Sequence, residues 1–289
     1  MIAVLLRVHD RMADLAVCVE LIRKYWKRDR YHLVVVSNGP AAGHTLPESV
    51  RAAADNCVEL AHNSGHLVGN AQLLMAGIKH LPAECRYTVL LEADTWVFSD
   101  ALVQKYVHRL AAENAVWASA EWIEKRWSLG LDFAVAETAY LQGNPEIFNF
   151  TTDAESWVCQ HLRAGGEHFL YITEAMPVHQ PKCLKFFGER HSGRFRSFPR
   201  AGMVTHHVED LPHGLETKQY LANVCLGRRE FPVGDARVIR REHRRLRMLM
   251  ALAPFLPRSR WYRPKRPQGL PATNPVTADH QSVRSPSPP

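Results

Sequence analysis

Short apolar runs alternate with stretches of helical spacing along the first part of the chain. Residues 2–8 and 33–37 are rich in Val, Ile and Leu, which predicts two buried strands. Between them, residues 13–26 repeat apolar positions every three to four residues, which predicts a helix. The turn signal Asn38-Gly39-Pro40 ends the second run. A strand, a helix and a strand joined by short connections predict a parallel pair.

The alternation continues, and it predicts an open, mostly parallel, twisted α/β sheet flanked by helices, of the Rossmann-like type. The further predicted strands are at residues 57–60, 87–91, 115–120, 133–141 and 202–206, and the further helices are at 68–81 and 154–163. Ligands of such sheets bind beyond the carboxyl ends of the strands. Polar, glycine-containing segments follow the strands at these ends: residues 7–11, 38–39, 62–70 and 92–96.

Charge divides the chain at about residue 230. Residues 228–289 carry 14 Lys and Arg against 4 Asp and Glu, a net charge of +10, whereas residues 1–227 carry 22 against 25, a net charge of −3. Half of the 18 prolines also lie beyond residue 253. We therefore predict a globular region at 1–230, a basic amphipathic helix at 231–257 and a disordered tail at 258–289.

The basic tail is compatible with three roles. It could lie on an anionic membrane surface, it could be a solvated extension, or it could bind nucleic acid, which is the least favoured partner. No run reaches the roughly 18 apolar residues of a membrane span, and Arg7, His9 and Asp10 interrupt the opening run before it resembles a secretory signal. With six widely spaced cysteines, we expect a cytoplasmic protein, peripheral on the cytoplasmic membrane face if the tail binds lipid.

The strongest chemical signal is an acidic pair, Glu92 and Asp94, at the end of the predicted strand 87–91. Two carboxylates at such a position can reach one divalent cation, and Mg²⁺ and Mn²⁺ prefer oxygen ligands together with substrate phosphates. The alternative is a pair of solvated loop acids. The order of the neighbouring motifs favours the metal: Asn63, Gly65, Asn70 and Gly77 precede the strand that delivers the pair.

This order resembles that of the family 2 glycosyltransferases and of the GT-A fold generally, over about residues 1–100 and more loosely to 210. The resemblance implies a metal-dependent transfer of a sugar from a nucleotide-diphosphate donor to a hydroxyl of a glycan or lipid-linked acceptor. It also implies a nucleotide-binding half at 1–100 and an acceptor half at 101–230. Under this resemblance the donor contacts are Arg7, Asp10, Asn38, Asn63, Gly65, His66, Asn70 and Glu92.

The sequence departs from the family pattern at two of these positions. The acidic motif begins with Glu92 instead of Asp, which makes Asp94 the safer metal ligand, and the acidic residues common after the second strand are replaced by Asn38 and Gly39. Members of the fold often supply a late histidine to the metal, and His206 or His207 would do so here. Adjacent side chains of a strand point to opposite faces, so only one of them is expected to enter the site.

Two further elements are implied by the resemblance. Asp153 and Glu155 match the acidic pair that supplies a catalytic base in an inverting reaction, although a helix capping box would explain Thr152 and Glu155 equally well. Gly143 and Asn144 resemble a loop that approaches the donor sugar or acceptor, and a plain turn is the alternative.

Two rival functions remain. A sugar-phosphate nucleotidyltransferase normally has a glycine-rich loop after the first strand, and residues 7–12 contain no glycine. A non-catalytic binding module built on the same fold would use the basic tail to engage a membrane or nucleic acid.

Overall fold

The computed structural model describes residues 1–39, 43–62, 64–121, 127–175, 202–205 and 214–226, together with Met248 and Phe255. Its strands are β1 (Ile2–Val8), β2 (Tyr31–Ser37), β3 (Asn56–Glu59), β4 (Tyr87–Glu92), β5 (Trp96–Val97), β6 (Trp117–Ser119), β7 (Phe133–Glu137), β8 (Phe169–Tyr171) and β9 (Met203–Val204). Its α-helices are α1 (Met12–Tyr25), α2 (Glu48–Ala53), α3 (His66–Ile78), α4 (Ala101–Glu113), α5 (Thr138–Gly143), α6 (Ala154–Ala164) and α7 (Gly214–Leu226). A 3₁₀ helix spans Pro145–Phe148.

Seven of the strands form one sheet in the order β3-β2-β1-β4-β7-β6-β8, and β5 pairs with β9 in a separate small sheet. Strands β1 to β4 run parallel to one another, and β6 and β8 are also a parallel pair. Only β7 is antiparallel to its neighbours within the large sheet. The predicted fold class is thereby confirmed: this is an open, mostly parallel, Rossmann-like α/β sheet, and it is consistent with the GT-A type.

The central strands are buried on both faces. All seven residues of β1 and the last five of β2 are buried, which explains why both read as continuous apolar runs and not as alternating ones. In the antiparallel strand β7, the first four residues are buried as well. The core therefore lies on both sides of the sheet, and polar groups are confined to its edges and ends.

Some elements differ from the sequence prediction. The strand predicted over 133–141 ends at Glu137, and α5 begins at Thr138. In α5 the buried positions, Thr138 and Leu141, are three residues apart, which is helical spacing. Helix α3 begins at His66 and not near residue 68. The predicted basic helix and tail lie outside the described residues apart from Met248 and Phe255, and no helix in the described ranges combines the length and apolarity of a membrane span.

Helix α3 packs on the sheet through Gly77. A Cβ placed on Gly77 would lie 2.3 Å from Cδ1 of Leu5 and 2.8 Å from Cγ2 of Val36. Both contacts are shorter than two carbon atoms tolerate, so a larger residue would push α3 away from β1 and β2. The resemblance included Gly77 as part of a sequence motif, and the structure gives it a packing role.

We expect Gly77→Ala to destabilise the fold by about 1 to 3 kcal/mol, since overpacking a close helix-sheet contact costs that much. Urea unfolding would measure the change. Gly143→Ala is the matched control, because among the described residues no atom lies within 4 Å of a Cβ built on Gly143, and its effect should be about 0.5 kcal/mol or less. Equal effects of the two substitutions would contradict the packing role of Gly77.

Candidate functional site

The candidate site lies where the chain reverses its direction of travel across the sheet. From β1 the chain moves outward to β2 and β3, and it then returns to β4 on the other side of β1. The carboxyl ends of β1 and β4 therefore flank a topological switch point, where open α/β sheets bind ligands. Arg7 near the end of β1 is paired in register with Glu92 at the end of β4. The predicted acidic motif thus lies at this switch point.

Arg7 joins two other predicted site residues, Asn70 and Glu92. Its side chain is only 2% exposed; Nε donates to Oδ1 of Asn70 at 2.6 Å, and Nη2 donates to Oε1 of Glu92 at 2.6 Å and to the carbonyl of Leu131 at 2.7 Å. A buried guanidinium requires a paired charge and filled acceptors to offset its loss of hydration. Nη1 is buried as well and has no hydrogen-bond partner among the described residues. The guanidinium of Arg7 therefore holds together residues from β1, α3 and β4. Its Nη1 is still available to donate a hydrogen bond.

The two acids of the motif have different surroundings. The Glu92 carboxylate is bound by buried Arg7, whereas Oδ2 of Asp94 lies 3.6 Å from Nε of Arg11, whose side chain is 45% exposed. Asp94 lies in a tight turn in which the amide of Thr95 donates to the carbonyl of Glu92 at 2.9 Å. Glu92 was predicted both to contact the donor and to bind metal. The structure places it in the Arg7 ion pair and places Asp94 beside a partly exposed cation.

A buried lysine supports the Asp94 turn from a distant part of the chain. Lys218 of α7 is fully buried; its Nζ donates to the backbone carbonyl of Asp94 at 2.7 Å and to the carboxylate of Asp14 in α1. The same Nζ lies 4.5 Å from the centre of the Trp96 ring. Burial lowers the pKa of Lys218, while the charges of Asp14 and Asp94 act in the opposite direction. Sequence analysis missed both Lys218 and Asp14, because single charged residues within helices ordinarily face solvent.

The segment before α3 contains the glycine that the sequence motif required. Gly65 precedes the helix with φ +91°, a conformation that favours glycine, and no atom of the described residues lies within 4 Å of a Cβ built there. The helix begins at His66, and the amide of Gly69 donates to the carbonyl of Gly65 at 2.6 Å, so the helical amides that precede this bond belong to residues 66–68. Asn70 lies inside the helix, as the predicted range 68–81 implies, and its side chain accepts from Arg7. Asn63 and the side chain of His66 lie outside what the structure describes.

Asn38 connects the ends of β1 and β2. It is 1% exposed, its Nδ2 donates to the carbonyl of His9 at 3.2 Å and also contacts Nδ1 of the His9 ring. Its Oδ1 is buried without a hydrogen-bond partner in the described part of the chain. Asp10 is exposed, and its carbonyl accepts from the amide of Met12 at 3.0 Å. Both residues therefore lie at the carboxyl edge of the sheet. Asn38 is buried there and links the ends of β1 and β2, whereas Asp10 is on the surface.

The reversed strand β7 brings a second group of residues to this edge. Its preceding loop, residues 127–132, supplies the Leu131 carbonyl that Arg7 binds and the Asp132 carbonyl that accepts from the Glu92 amide at 3.0 Å. Asp132 and Glu121 are buried acids, 3% and 7% exposed. Sequence analysis missed both, because neither belongs to a pattern with a recognisable spacing.

The predicted base residues lie at the start of α6, next to this loop. The amide of Leu129 donates to the carbonyl of Glu155 at 3.0 Å. Asp153 is exposed and caps the helix: its carboxylate accepts from the Ser156 amide at 3.4 Å and from the Ser156 hydroxyl at 2.9 Å. The cap is therefore Asp153 itself and not Thr152, as the capping box would have it. Capping accounts for the position of Asp153 and leaves its chemistry open to test.

Other predicted residues lie elsewhere. Gly143 ends α5, and Asn144 follows it and donates from Nδ2 to the carbonyl of Tyr140 at 2.9 Å. The neighbouring Gln142 binds the carbonyl of Leu81, in the connection that precedes β4. Gly143 and Asn144 thus lie towards the opposite edge of the sheet, where the parallel strands begin. The reason is that β7 runs back to that edge before α5 starts.

His206 and His207 lie outside the described residues. Strand β9, which ends at Val204, pairs antiparallel with β5, and β5 begins two residues after Asp94. Within the described ranges, no group of three or more His, Cys, Asp or Glu side chains is arranged to hold a metal ion. Asp94 lies at the switch point with its carboxylate beside the half-exposed side chain of Arg11, and not beside Arg7.

Comparisons with known proteins give a limited result. No protein-family model matches the chain, and no curated protein matches it. Among solved structures, the mannosyltransferase PcManGT from Pyrobaculum calidifontis, in complex with GDP-mannose and Mn²⁺, has a TM-score of 0.39 and 16% identity. The alignment covers 49% of this chain and 46% of that chain. The likeness is one of part of the fold, and the ligands are those of that enzyme.

We expect the two acids of the motif to differ in their effect on stability. Glu92→Ala would leave a buried guanidinium without its carboxylate and should lower the free energy of unfolding by about 2 to 3 kcal/mol. Asp94→Ala should cost about 1 kcal/mol or less, since its ion-pair partner Arg11 is half exposed. Urea unfolding of both variants measures the difference. A larger loss for Asp94→Ala than for Glu92→Ala would contradict this order.

Proposed function

We propose that the chain is a metal-dependent glycosyltransferase of GT-A type. It would move a sugar from a nucleotide-diphosphate donor to a hydroxyl of a glycan or lipid-linked acceptor. The observation that carries this proposal is the position of the motif Glu92-Ala93-Asp94 at the switch point between β1 and β4. An acidic motif on the ligand-binding edge of such a sheet is suited to a cation that accompanies phosphates.

The residues at the motif fit a metal that arrives with its substrate. Mg²⁺ is commonly bound through one or two carboxylates together with substrate phosphates and water, without a complete cage of protein ligands. Asp94 provides such a carboxylate, and Glu92 is committed to Arg7 through Oε1. A histidine from His206 or His207 would complete the set, and the pairing of β9 with β5 supports this assignment. The bound Mn²⁺ or Mg²⁺ would supply positive charge for the departing diphosphate.

The remaining residues would bind and orient the donor. Nη1 of Arg7 and Oδ1 of Asn38 are buried polar atoms without partners among the described residues, at the ends of β1 and β2, and they are our candidates for contacts to the nucleotide. The first turn of α3 presents amides to anionic groups at the same edge. Gly65 leaves open space beside this turn. Asn63, His66 and exposed Asp10 complete the proposed donor contacts.

Asp153 or Glu155 would take the proton from the acceptor hydroxyl if the reaction inverts. Their position supports this role, because Leu129 is bound to Glu155 and Leu131, two residues later, is bound to Arg7. The base candidates and the donor site therefore share one short loop. The acceptor half would thus be joined to the nucleotide half through residues 127–132.

Thermal unfolding with nucleotide diphosphates tests the proposed donor site. We expect one nucleotide diphosphate or its sugar to raise Tm in the presence of Mn²⁺ and not with EDTA, since a ligand that binds the native state stabilises it. Asp94→Ala should abolish the shift. Glu84→Ala is the matched control, because Glu84 is an exposed acid in the connection before β4, and it should leave the shift intact.

If no nucleotide diphosphate shifted Tm with or without metal, the transferase assignment would fail. A binding module with a basic tail would then be the better account. Binding by residues 228–289 to anionic vesicles and to nucleic acid, measured over a range of salt concentrations, would be the measurement to make next.

The base role of Asp153 can be separated from its capping role. Asn caps helices about as well as Asp, so Asp153→Asn should leave Tm nearly unchanged while it lowers sugar transfer by about 100-fold or more, as expected for a lost general base. Asp153→Ala should lower both. Glu155→Gln is made in parallel, since the pair offers two candidates. Full activity of both amide variants would exclude this pair as the base.

A further inference from the structure

Helix α7 reaches the candidate site through one side chain. Lys218 is the only buried lysine in the part of the chain that the structure describes, and it comes from an element that follows Asp94 by more than a hundred residues. Its Nζ is bound on one side by the carboxylate of Asp14 and on the other by the backbone carbonyl of Asp94. It has no exposed surface, so it does not itself contact substrate.

The charge of Lys218 and its hydrogen bond to the turn have separate partners. Asp14 on α1 compensates the ammonium charge, which would otherwise be costly to bury. The bond to the Asp94 carbonyl, at 2.7 Å, carries no charge compensation and fixes the backbone from which the Asp94 carboxylate extends. The Trp96 ring, 4.5 Å from Nζ, closes the turn on its other side.

We propose that Lys218 is a positioning residue that holds the Asp94 turn in the orientation needed to bind the metal and diphosphate. In its link to metal binding this inference rests on the proposed function, whereas the hold on the turn is a property of the structure itself. Residues that orient a metal ligand affect metal affinity without touching the metal. Helix α7 then contributes to the nucleotide half of the site although it lies in the predicted acceptor half.

Three variants separate positioning from folding. Asp14→Asn removes the charge partner and keeps the donor to Asp94. Lys218→Met removes the donor and leaves Asp14 buried without its cation. The double variant Asp14→Asn with Lys218→Met removes both charges, and this should recover much of the stability lost in Lys218→Met, because no uncompensated charge remains.

Two readouts are measured on the full chain for each variant. The first is the Kd for Mn²⁺ in the presence of excess UDP and, in a parallel series, excess GDP, determined from the free Mn²⁺ signal in electron paramagnetic resonance. The second is the rate of amide hydrogen exchange in the peptide 93–97. Leu110→Ala is the control for lost stability, since Leu110 is 1% exposed near the far end of α4.

Under the positioning role, the double variant recovers Tm yet binds Mn²⁺ roughly 10- to 100-fold more weakly than the native chain, and its peptide 93–97 exchanges faster. Asp14→Asn, although destabilised, retains Mn²⁺ affinity within a few-fold, as does Leu110→Ala. If the double variant recovered both Tm and Mn²⁺ affinity, Lys218 would serve folding alone and the inference would be overturned.

Two other outcomes are also decisive. If both Lys218 variants failed to fold, Lys218 would be required for folding itself and the inference of a positioning role would be overturned. If the native chain bound no Mn²⁺ with either nucleotide, the proposed function would lose its support. Faster exchange at residues 93–97 in the double variant, and not in Leu110→Ala, would still establish the hold of Lys218 on the turn.

Discussion

The candidate site depends on the burial of a single arginine. Arg7 lies near the end of a strand whose residues are all buried, at the switch point where the neighbouring strands β1 and β4 lead their connections in opposite directions. A guanidinium there must find its charge partner within the protein. Glu92, Asn70 and the carbonyl of Leu131 meet that requirement, and each comes from a different part of the chain. Neutralising Arg7 therefore brings β1, β4, α3 and the loop before β7 into one arrangement, and the Asp94 turn is placed as a result.

The sheet topology decides which residues can share this arrangement. Parallel strands place their carboxyl ends at one edge, and the reversed direction of β7 places the start of that strand at the same edge. The loop at 127–132 reaches the site for this reason, and α6 follows because its first turn is bound to that loop. The same reversal carries Gly143 and Asn144 away, since α5 begins where β7 ends. The direction of β7 thus explains why Asp153 and Glu155 lie near the site. It also explains why Gly143 and Asn144 lie away from it.

Local patterns predicted the parts of the molecule that depend on local sequence. Continuous apolar runs identified β1, β2 and β4, and the Glu92 and Asp94 pair was recognised from its position after β4. Contacts between residues far apart in the sequence produce no such local pattern. Lys218 binds Asp14 across 204 residues. Asp132 accepts from the Glu92 amide through its backbone carbonyl, which any residue could do. The ion pair of Glu92 with Arg7 was not predicted either. Both residues were assigned to contacts with ligands, whereas in the structure their side chains pair with each other. Helix α5 was read as strand because apolar residues continue past Glu137 and Thr138 to Leu141.

The distance along the chain between Lys218 and its partners has a consequence for biosynthesis. Asp14 leaves the ribosome with the first helix, and β1 to β4 can pair before the second half of the chain has been made, since domains form from the amino terminus as synthesis proceeds. During that interval Asp14 has no ammonium beside it, and the carbonyl of Asp94 has no donor from α7. The part of the sheet formed by β1 to β4 therefore passes through a period in which it is assembled while the turn at its edge is not yet anchored. The order of synthesis makes α7 the element that completes the site.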